Sequence, residues 1–241
     1  MANLFTRNLL NTLRLLKLAR SIKKKFVHIQ NPFMPCTPHL LIAINRSLRW
    51  CLEKGLAENS DYLEFGIFRG FGFWYAQALA ADMGVKDMRF FGFDSFLGLP
   101  PLSEIDMGVE FHEGAYCCPR RDVEAFLIQH GVDWNKTFLV EGEFRKTLIP
   151  ETIKKYKLRR CSICVIDCDL YESSKLALKF ITSLIQDGTI VLFDDWRSFG
   201  NDPNKGEQKA FAEFLERNSN IEAKPFMEFG GHGKGFVLNF R

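Results

Sequence analysis

From Asp61 onward the chain alternates short, nearly continuous apolar runs with longer stretches of helical spacing. Five of the short runs predict strands: "DYLEFGI" (61–67), "MRFFGFD" (88–94), "TFLVEG" (137–142), "CSICVID" (161–167) and "TIVLFD" (189–194). Apolar runs of this length suit strands covered on both faces. Between them the spacing predicts helices over 72–83, over 121–130 behind Pro119, over 173–186 closed by Gly188, and over 206–217. The last stretch, "IEAKPFMEFGGHGKGFVLNF", places two β-rich runs around Gly230–Gly231–His232–Gly233 and predicts an antiparallel hairpin. Strands that alternate with helices imply a parallel sheet with crossover connections. With the hairpin added, the expected fold is α/β, a doubly wound sheet of seven strands. Ligands of such sheets bind beyond the carboxyl ends of the strands, so the chemistry is sought there.

Upstream of the sheet the pattern changes. "NLLNTLRLLKLARSIKKKF", as a helix, gathers Leu9, Leu13, Leu16, Ala19 and Ile22 towards one side and Arg14, Lys17, Arg20 and Lys24 towards another. "NPFMPCTP", with three prolines, reads as a linker, and "HLLIAINRSLRWCLEKGLAEN" again has helical spacing with a glycine near its end. Residues 1–58 are therefore set apart as a helical extension of a domain spanning 59–241. The net charge of +3 conceals an uneven distribution. No Asp or Glu precedes Glu53, whereas nine Lys and Arg do, which leaves 23 basic against 29 acidic residues for the body. The basic arm is too interrupted by charge for a signal peptide or a membrane span. It either lies on an anionic membrane surface or packs its leucines on the body or on a second subunit, as in a homodimer. Nucleic acid is disfavoured, since no interleaving of basic and aromatic residues follows the arm.

Seven cysteines in a chain of 241 residues do not make a disulfide scaffold. Cys161, Cys164 and Cys168 sit in or beside an apolar run without a second CxxC or a nearby pair of histidines, so they read as small core residues rather than zinc ligands. Reduced thiols point to a cytoplasmic protein, with any membrane contact peripheral.

The first strand ends in "YLEFGIFRGFG", a glycine-rich turn into a helix. The dinucleotide fingerprint G-x-G-x-x-G fails, because the second glycine position holds Phe68. Glu64 points to the same side of the strand as Gly66 and can accept a hydrogen bond from an ammonium group or order the loop. The second strand ends at Asp94, which either takes the hydroxyls of a ribose or caps the following turn. Together these ends suggest an adenosine-containing ligand without pyrophosphate geometry. The fourth strand leads into "VIDCDLYESS" and the fifth into "FDDWRSF", so Asp167 and Asp169 approach Asp194 and Asp195. Two like charges about 4 Å apart repel by roughly 4 kcal/mol at an effective dielectric near 20. Four carboxylates with no lysine in either motif argue for a hard divalent cation, Mg²⁺ before Zn²⁺, provided that the chain curls out of the strand at Asp194. The alternative is that Asp195 caps a turn or pairs with Arg197.

In order, "YLEFGIFRG", "FGFDSFLGLP", "LVEGEFRKTLIP", "IDCDLYESS" and "VLFDDW" resemble the macrocin O-methyltransferase-like, TylF-type, family of class I S-adenosylmethionine-dependent sugar O-methyltransferases. The resemblance spans roughly 60–216 and implies a Rossmann-like methyltransferase sheet. It implies that Glu64, Gly66 and Gly70 form the methionine-side loop and that Asp94 holds the ribose with Ser95 beside it. Glu141 and Gly142 would lie near the adenine. Asp167, Asp194 and Asp195 would bind the metal, with Asp167 also bordering the cofactor, and Asp169 would be the general base. Trp196 departs from the tyrosine that often follows the D-D pair, and "RSFGNDPNKGEQKAF" is long.

The implied reaction moves a methyl group from S-adenosylmethionine to a hydroxyl of a sugar, either a small-molecule acceptor such as a natural-product deoxysugar or a surface glycan. A cation would lower the pKa of that hydroxyl, and Asp169 would remove its proton from about 2.6–3.2 Å. His112 and His232 are alternative bases. Competing readings are a catechol or phenol acceptor on the same fold, and a non-catalytic, cofactor-binding scaffold subunit.

Overall fold

The computed structural model of the chain describes residues 38–107 and 111–241. The basic arm predicted ahead of the prolines lies outside these residues. Seven strands form one sheet: β1 (Ser60–Phe65), β2 (Met88–Asp94), β3 (Thr137–Glu141), β4 (Cys161–Ile166), β5 (Ile185–Phe193), β6 (Ile221–Phe229) and β7 (Gly233–Phe240). Their spatial order is β3-β2-β1-β4-β5-β7-β6. Neighbours among the first five run parallel, whereas β7 is antiparallel to both β5 and β6. The expected terminal hairpin is present, and its second strand, not its first, joins the parallel part of the sheet.

The described helices are α1 (Pro38–Glu53), α2 (Phe71–Asp82), α3 (Arg120–Gln129), α4 (Phe144–Thr147), α5 (Pro150–Tyr156), α6 (Tyr171–Ile181) and α7 (Gly206–Arg217). Every residue of β1 is buried, because the strand is central and covered on both faces. On one face Leu63 and Phe65 join Phe91, Phe93, Ile166 and Phe193 in a core sealed by Leu178 and Ile181 of α6 and by Phe211 and Phe214 of α7. The rings of Phe65 and Phe93 stack at 4.9 Å, and Phe180 meets Phe93 edge-on at 5.4 Å. On the opposite face Tyr62 meets Phe73 of α2. Helix α1 buries Leu40, Ala43, Ile44, Leu48 and Cys51 at helical spacing, and the Cys51 thiol reaches the Ser162 carbonyl at 3.7 Å.

At the edge opposite the ligand side, an ion pair ties β2 to β1. Arg89 donates from Nε and Nη2 to the two oxygens of Asp61, each at 2.8 Å, and the Arg159 amide adds a third bond at 2.7 Å. The Asp61 side chain is fully buried there.

Two boundaries differ from the sequence pattern. Apolar residues through Ile185 continue the spacing of α6, yet the helix stops at Ile181 and β5 starts at Ile185. Pairing of Ile185 with Cys161 overrides local propensity, and a bulge then shifts the register so that Ile163 opposes Ile190. Gly188 carries φ of +87° inside that bulge. Helix α4 has only four residues, too few to show a period.

Candidate active site

The strand order reverses between β1 and β4, and the crevice of a doubly wound sheet opens at the carboxyl ends of such a pair. Sheet-like bonds continue one residue beyond the strands. Gly66 N–H donates to Phe93 O at 2.9 Å, Asp167 N–H to Phe65 O at 2.9 Å, Asp194 N–H to Ile166 O at 3.1 Å and Gly142 N–H to Asp94 O at 2.9 Å. Gly66, Asp94, Gly142, Asp167 and Asp194 are thereby aligned along one edge. Gly66 has φ of +83°, and a Cβ there would collide with the main-chain oxygen of Asp167. Gly70, at φ +77°, starts α2 after a tight turn to Ile67 O at 2.6 Å.

Asp94 ties the ends of β1 and β2 together. Its Oδ2 accepts from the amides of Ile67 at 2.8 Å and Phe68 at 3.1 Å, and its Oδ1 accepts from Phe96 at 2.7 Å. Burial raises its pKa, and these amide bonds oppose the rise by favouring the charged form. Of the two sequence alternatives, the structure shows the cap: Asp94 holds the turns that follow β1 and β2. Ser95 is occupied within its own turn, donating to Gly98 O and accepting from Leu97 N–H, both at 3.1 Å. Glu141 is half exposed and pairs with Arg120 at 3.0 Å. The structure keeps it at the rim, away from the carboxylates of β4 and β5.

Glu64 lies on the α1–α2 side of the sheet and is 2% exposed. Tyr62 donates its hydroxyl to Glu64 Oε2 at 2.5 Å. Burial pushes the Glu64 pKa up to about 8, against the Tyr62 bond and with smaller contributions from Asp194 and Asp94. Glu64 thus senses both halves of the site.

The chain bends at Asp194 and Asp195 immediately after β5, as the cation reading required. Asp169 reaches the same place by a left-handed turn, φ +61°, rather than by the strand alternation read from sequence. Asp tolerates this conformation better than most residues. Burial, followed by the charge of Asp195 and a hydrogen bond between the two side chains, raises the Asp169 pKa well above the usual carboxylate range. Asp167 is raised likewise, by burial and then by Asp194, Asp195, Asp169 and Glu64. Asp194 is pushed up to about 7 by burial and by Asp195. Asp195 accepts the Ser198 hydroxyl at 2.6 Å, whereas Arg197 pairs with Glu228 at 2.7 Å. Pairing of Asp195 with Arg197 is therefore not what the structure shows.

Several contributors were not read from the sequence. Asp106, 1% exposed, accepts the Tyr171 amide at the start of α6 at 2.8 Å and the Ser103 hydroxyl at 2.7 Å, which fixes the loop after β2 beside the turn of Asp169. Glu207, in the first turn of α7, is 1% exposed. It shares a helical stripe with buried Ala210, Phe211 and Phe214, and an acid inside such a stripe was a legible signal. Trp196 packs on Phe193, Phe211 and Phe236. His232 is exposed in the hairpin turn, and His112 is exposed in the loop after residues 108–110. Cys161, Cys164 and Cys168 are buried free thiols, as expected of core residues.

Among the described residues no three His, Cys, Asp or Glu side chains already stand in ligating geometry for a metal ion. The donor set itself, carboxylate oxygens throughout, has the chemistry of a hard-cation site. Neither oxygen of buried Glu207 has a hydrogen-bond partner.

The sheet order and the acidic strand ends define a methyltransferase-type α/β domain. The chain belongs to the TylF, macrocin-O-methyltransferase, family, whose profile matches residues 35–224 and so includes α1. One relative, 8-demethyl-8-(2,3-dimethoxy-alpha-L-rhamnosyl)-tetracenomycin-C 4'-O-methyltransferase of Streptomyces olivaceus, is 26% identical over 172 residues, 67% of this chain and 64% of the relative. The chain therefore matches less than two thirds of that protein's length. Among solved structures, the O-methyltransferase NovP superposes with a TM-score of 0.68 at 17% identity, covering 83% of this chain and 79% of NovP. The calicheamicin methyltransferase CalS11 gives 0.68 at 22% identity, covering 82% and 77%. These two likenesses establish the fold. Among the described residues no helix is long and apolar enough to cross a membrane.

Proposed function

We propose that this protein is an O-methyltransferase that uses S-adenosylmethionine and a divalent cation, Mg²⁺ first, to methylate a sugar hydroxyl. The observation that carries the reading is the alignment of Gly66, Asp94, Asp167 and Asp194 along one edge of the sheet, with Asp169 and Asp195 in the turns that follow. Membership of the TylF family supports the reaction class. The name of the Streptomyces relative, a rhamnosyl 4'-O-methyltransferase, supports a sugar as acceptor.

S-adenosylmethionine, when bound, supplies a methyl group already activated on a sulfonium. A divalent cation supplies charge that lowers the pKa of a bound hydroxyl. The chain's own part is to position and to accept a proton. The turn from Gly66 to Gly70 would hold the methionine end of the cofactor. Asp94, held by three amides, has lone pairs left and would take the ribose, and Glu141, Gly142 and Ser95 would line the adenosine side. Asp167, Asp194 and Asp195 would hold the cation. Asp169 takes the proton from the acceptor oxygen as general base. Alignment of oxygen, carbon and sulfur can account for roughly 7–11 kcal/mol of the barrier.

Titration calorimetry with S-adenosylhomocysteine, in Mg²⁺ and again in EDTA, tests the reading. Micromolar binding in both buffers supports the pocket and puts the cation on the acceptor side. No binding in either sinks the methyltransferase reading for this chain and leaves a scaffold. A screen of rhamnosyl and catechol acceptors then decides between sugar and phenol. The basic arm, by its charge, fits peripheral contact with an anionic membrane or packing on a second subunit. Lost vesicle binding with unchanged turnover, after deletion of residues 1–30, would identify an anchor.

A further inference from the structure

Glu207 is the least satisfied acid among the described residues. It is 1% exposed, and both of its carboxylate oxygens lack any hydrogen-bond partner. An ionised carboxylate so placed is costly unless a cation or hydrogen-bond donors meet it. Protonation alone would still leave the carboxyl group without a partner.

Its position is firmly set. Gly206, at φ +50°, packs against the Phe199 ring so closely that a Cβ would lie 2.5 Å from Phe199 Cδ2. Gln208 donates from Nε2 to Trp196 O at 2.7 Å and to Asn201 Oδ1 at 3.1 Å. The first turn of α7 is therefore fastened to the chain that follows Asp194 and Asp195. Glu207, between these two anchors, lies within electrostatic reach of Asp195, Asp194, Asp167 and Asp169. The basic side chains nearby in sequence are engaged elsewhere: Arg197 with Glu228 at 2.7 Å, Lys205 with Met107 O at 3.1 Å and Lys209 with Glu213 at 3.5 Å. The acids of this cluster thus receive no internal cation from the segment that carries Glu207.

We infer that Glu207 is an additional oxygen ligand of a divalent cation shared with the aspartates of β4 and β5. The inference rests on the metal-dependent reading proposed above and extends it to a helix that no strand-end motif includes. A fourth acidic side chain would make the site more anionic, more complete in protein oxygen and less dependent on acceptor oxygens to retain the ion. It predicts binding of the ion by the free protein, before any acceptor arrives.

The probe is Mn²⁺, followed by the electron paramagnetic resonance of the free ion as the full chain is titrated. Wild type, Asp194→Asn and Glu207→Gln are compared, with S-adenosylhomocysteine affinity and circular dichroism as controls for folding. The expected result is that Glu207→Gln weakens Mn²⁺ binding at least tenfold while leaving S-adenosylhomocysteine affinity within twofold of wild type. If Asp194→Asn loses Mn²⁺ but Glu207→Gln binds it as wild type does, Glu207 is not a ligand and the metal-dependent reading stands. A wild-type protein that binds S-adenosylhomocysteine but no Mn²⁺ overturns both. Should Glu207→Gln fail to fold, Mn²⁺-soaked crystals of the wild type decide by anomalous scattering. An ion within about 2.5 Å of a Glu207 oxygen supports the assignment, and an ion held by the aspartates alone overturns it.

Discussion

The carbon that any other residue would add at Gly66 falls onto the main-chain oxygen of Asp167. This contact joins the first strand-end motif to the fourth, at the point where the sheet order reverses. The glycine is needed for backbone approach between two strands of the protein itself, a role separate from the methionine-side loop that the resemblance implies. Gly66→Ala should therefore act mainly on stability. A blocked contact together with a left-handed alanine should cost about 2–5 kcal/mol. Urea unfolding would read this, and an unchanged midpoint would mean that the two ends can separate freely.

Asp94 is expected to matter for both fold and ligand. Hydrogen bonds to a charged group contribute about 1.5–3 kcal/mol each when they cannot be replaced. Asp94→Ala removes the acceptor of the Ile67, Phe68 and Phe96 amides. Affinity for S-adenosylhomocysteine should fall at least tenfold by calorimetry, with a lower melting temperature. A melting shift alone, with wild-type affinity, would restrict Asp94 to capping.

The two halves of the acidic cluster should separate by kinetics. Asp169→Asn is expected to retain binding of S-adenosylhomocysteine and of the cation but to lose turnover by about 10²-fold or more, the usual scale of a general base. Asp194→Asn should instead abolish the response of turnover to added Mg²⁺. Full activity of Asp169→Asn would remove that residue from the mechanism.

Glu64 gives a pH dependence of defined sign. Its pKa is raised to about 8 in the fold, chiefly by burial, so the native state holds a proton that the unfolded chain releases near pH 4.5. Between those values the native state binds more protons, and stability falls as pH rises. Asp194, raised to about 7, acts in the same direction over a narrower range. Melting temperatures of the cation-free protein should decline from pH 5 to pH 8. Glu64→Gln, which can still accept the Tyr62 hydroxyl, should flatten the decline. Parallel curves for the two proteins would show that Glu64 does not titrate in this range.

Asp61 should matter for stability and not for the ligand. It sits on the far edge, holding Arg89 through two bonds and the Arg159 amide through a third. Asp61→Ala leaves the Arg89 guanidinium, largely buried, without its counter-charge and should destabilise by about 3–5 kcal/mol. Any folded fraction should bind S-adenosylhomocysteine with wild-type affinity. A tenfold loss of affinity in folded protein would show that the two edges are coupled.

Apolar runs and their spacing were enough to predict five parallel strands, the terminal hairpin and the strand-end acids, because burial on both faces demands continuous apolar sequence and a crossover demands a helix. Helix 206–217 was legible to the residue, whereas the end of α6 was not: Ile185 obeys the helical period but is claimed by Cys161 across the sheet. Such long-range pairing leaves no mark on local spacing. The same division holds in the site. Asp167, Asp169, Asp194 and Asp195 could be listed from two short motifs, since one sheet edge must collect them. That Asp169 comes close to Asp195, that Asp94 binds the glycine loop and that Glu207 lies within electrostatic reach of the cluster from another helix were decided only in three dimensions. The sequence determined which groups are brought to the edge, through periods that burial enforces. The tertiary structure decided which of them are paired, because pairing depends on turns, caps and packing between residues distant along the chain.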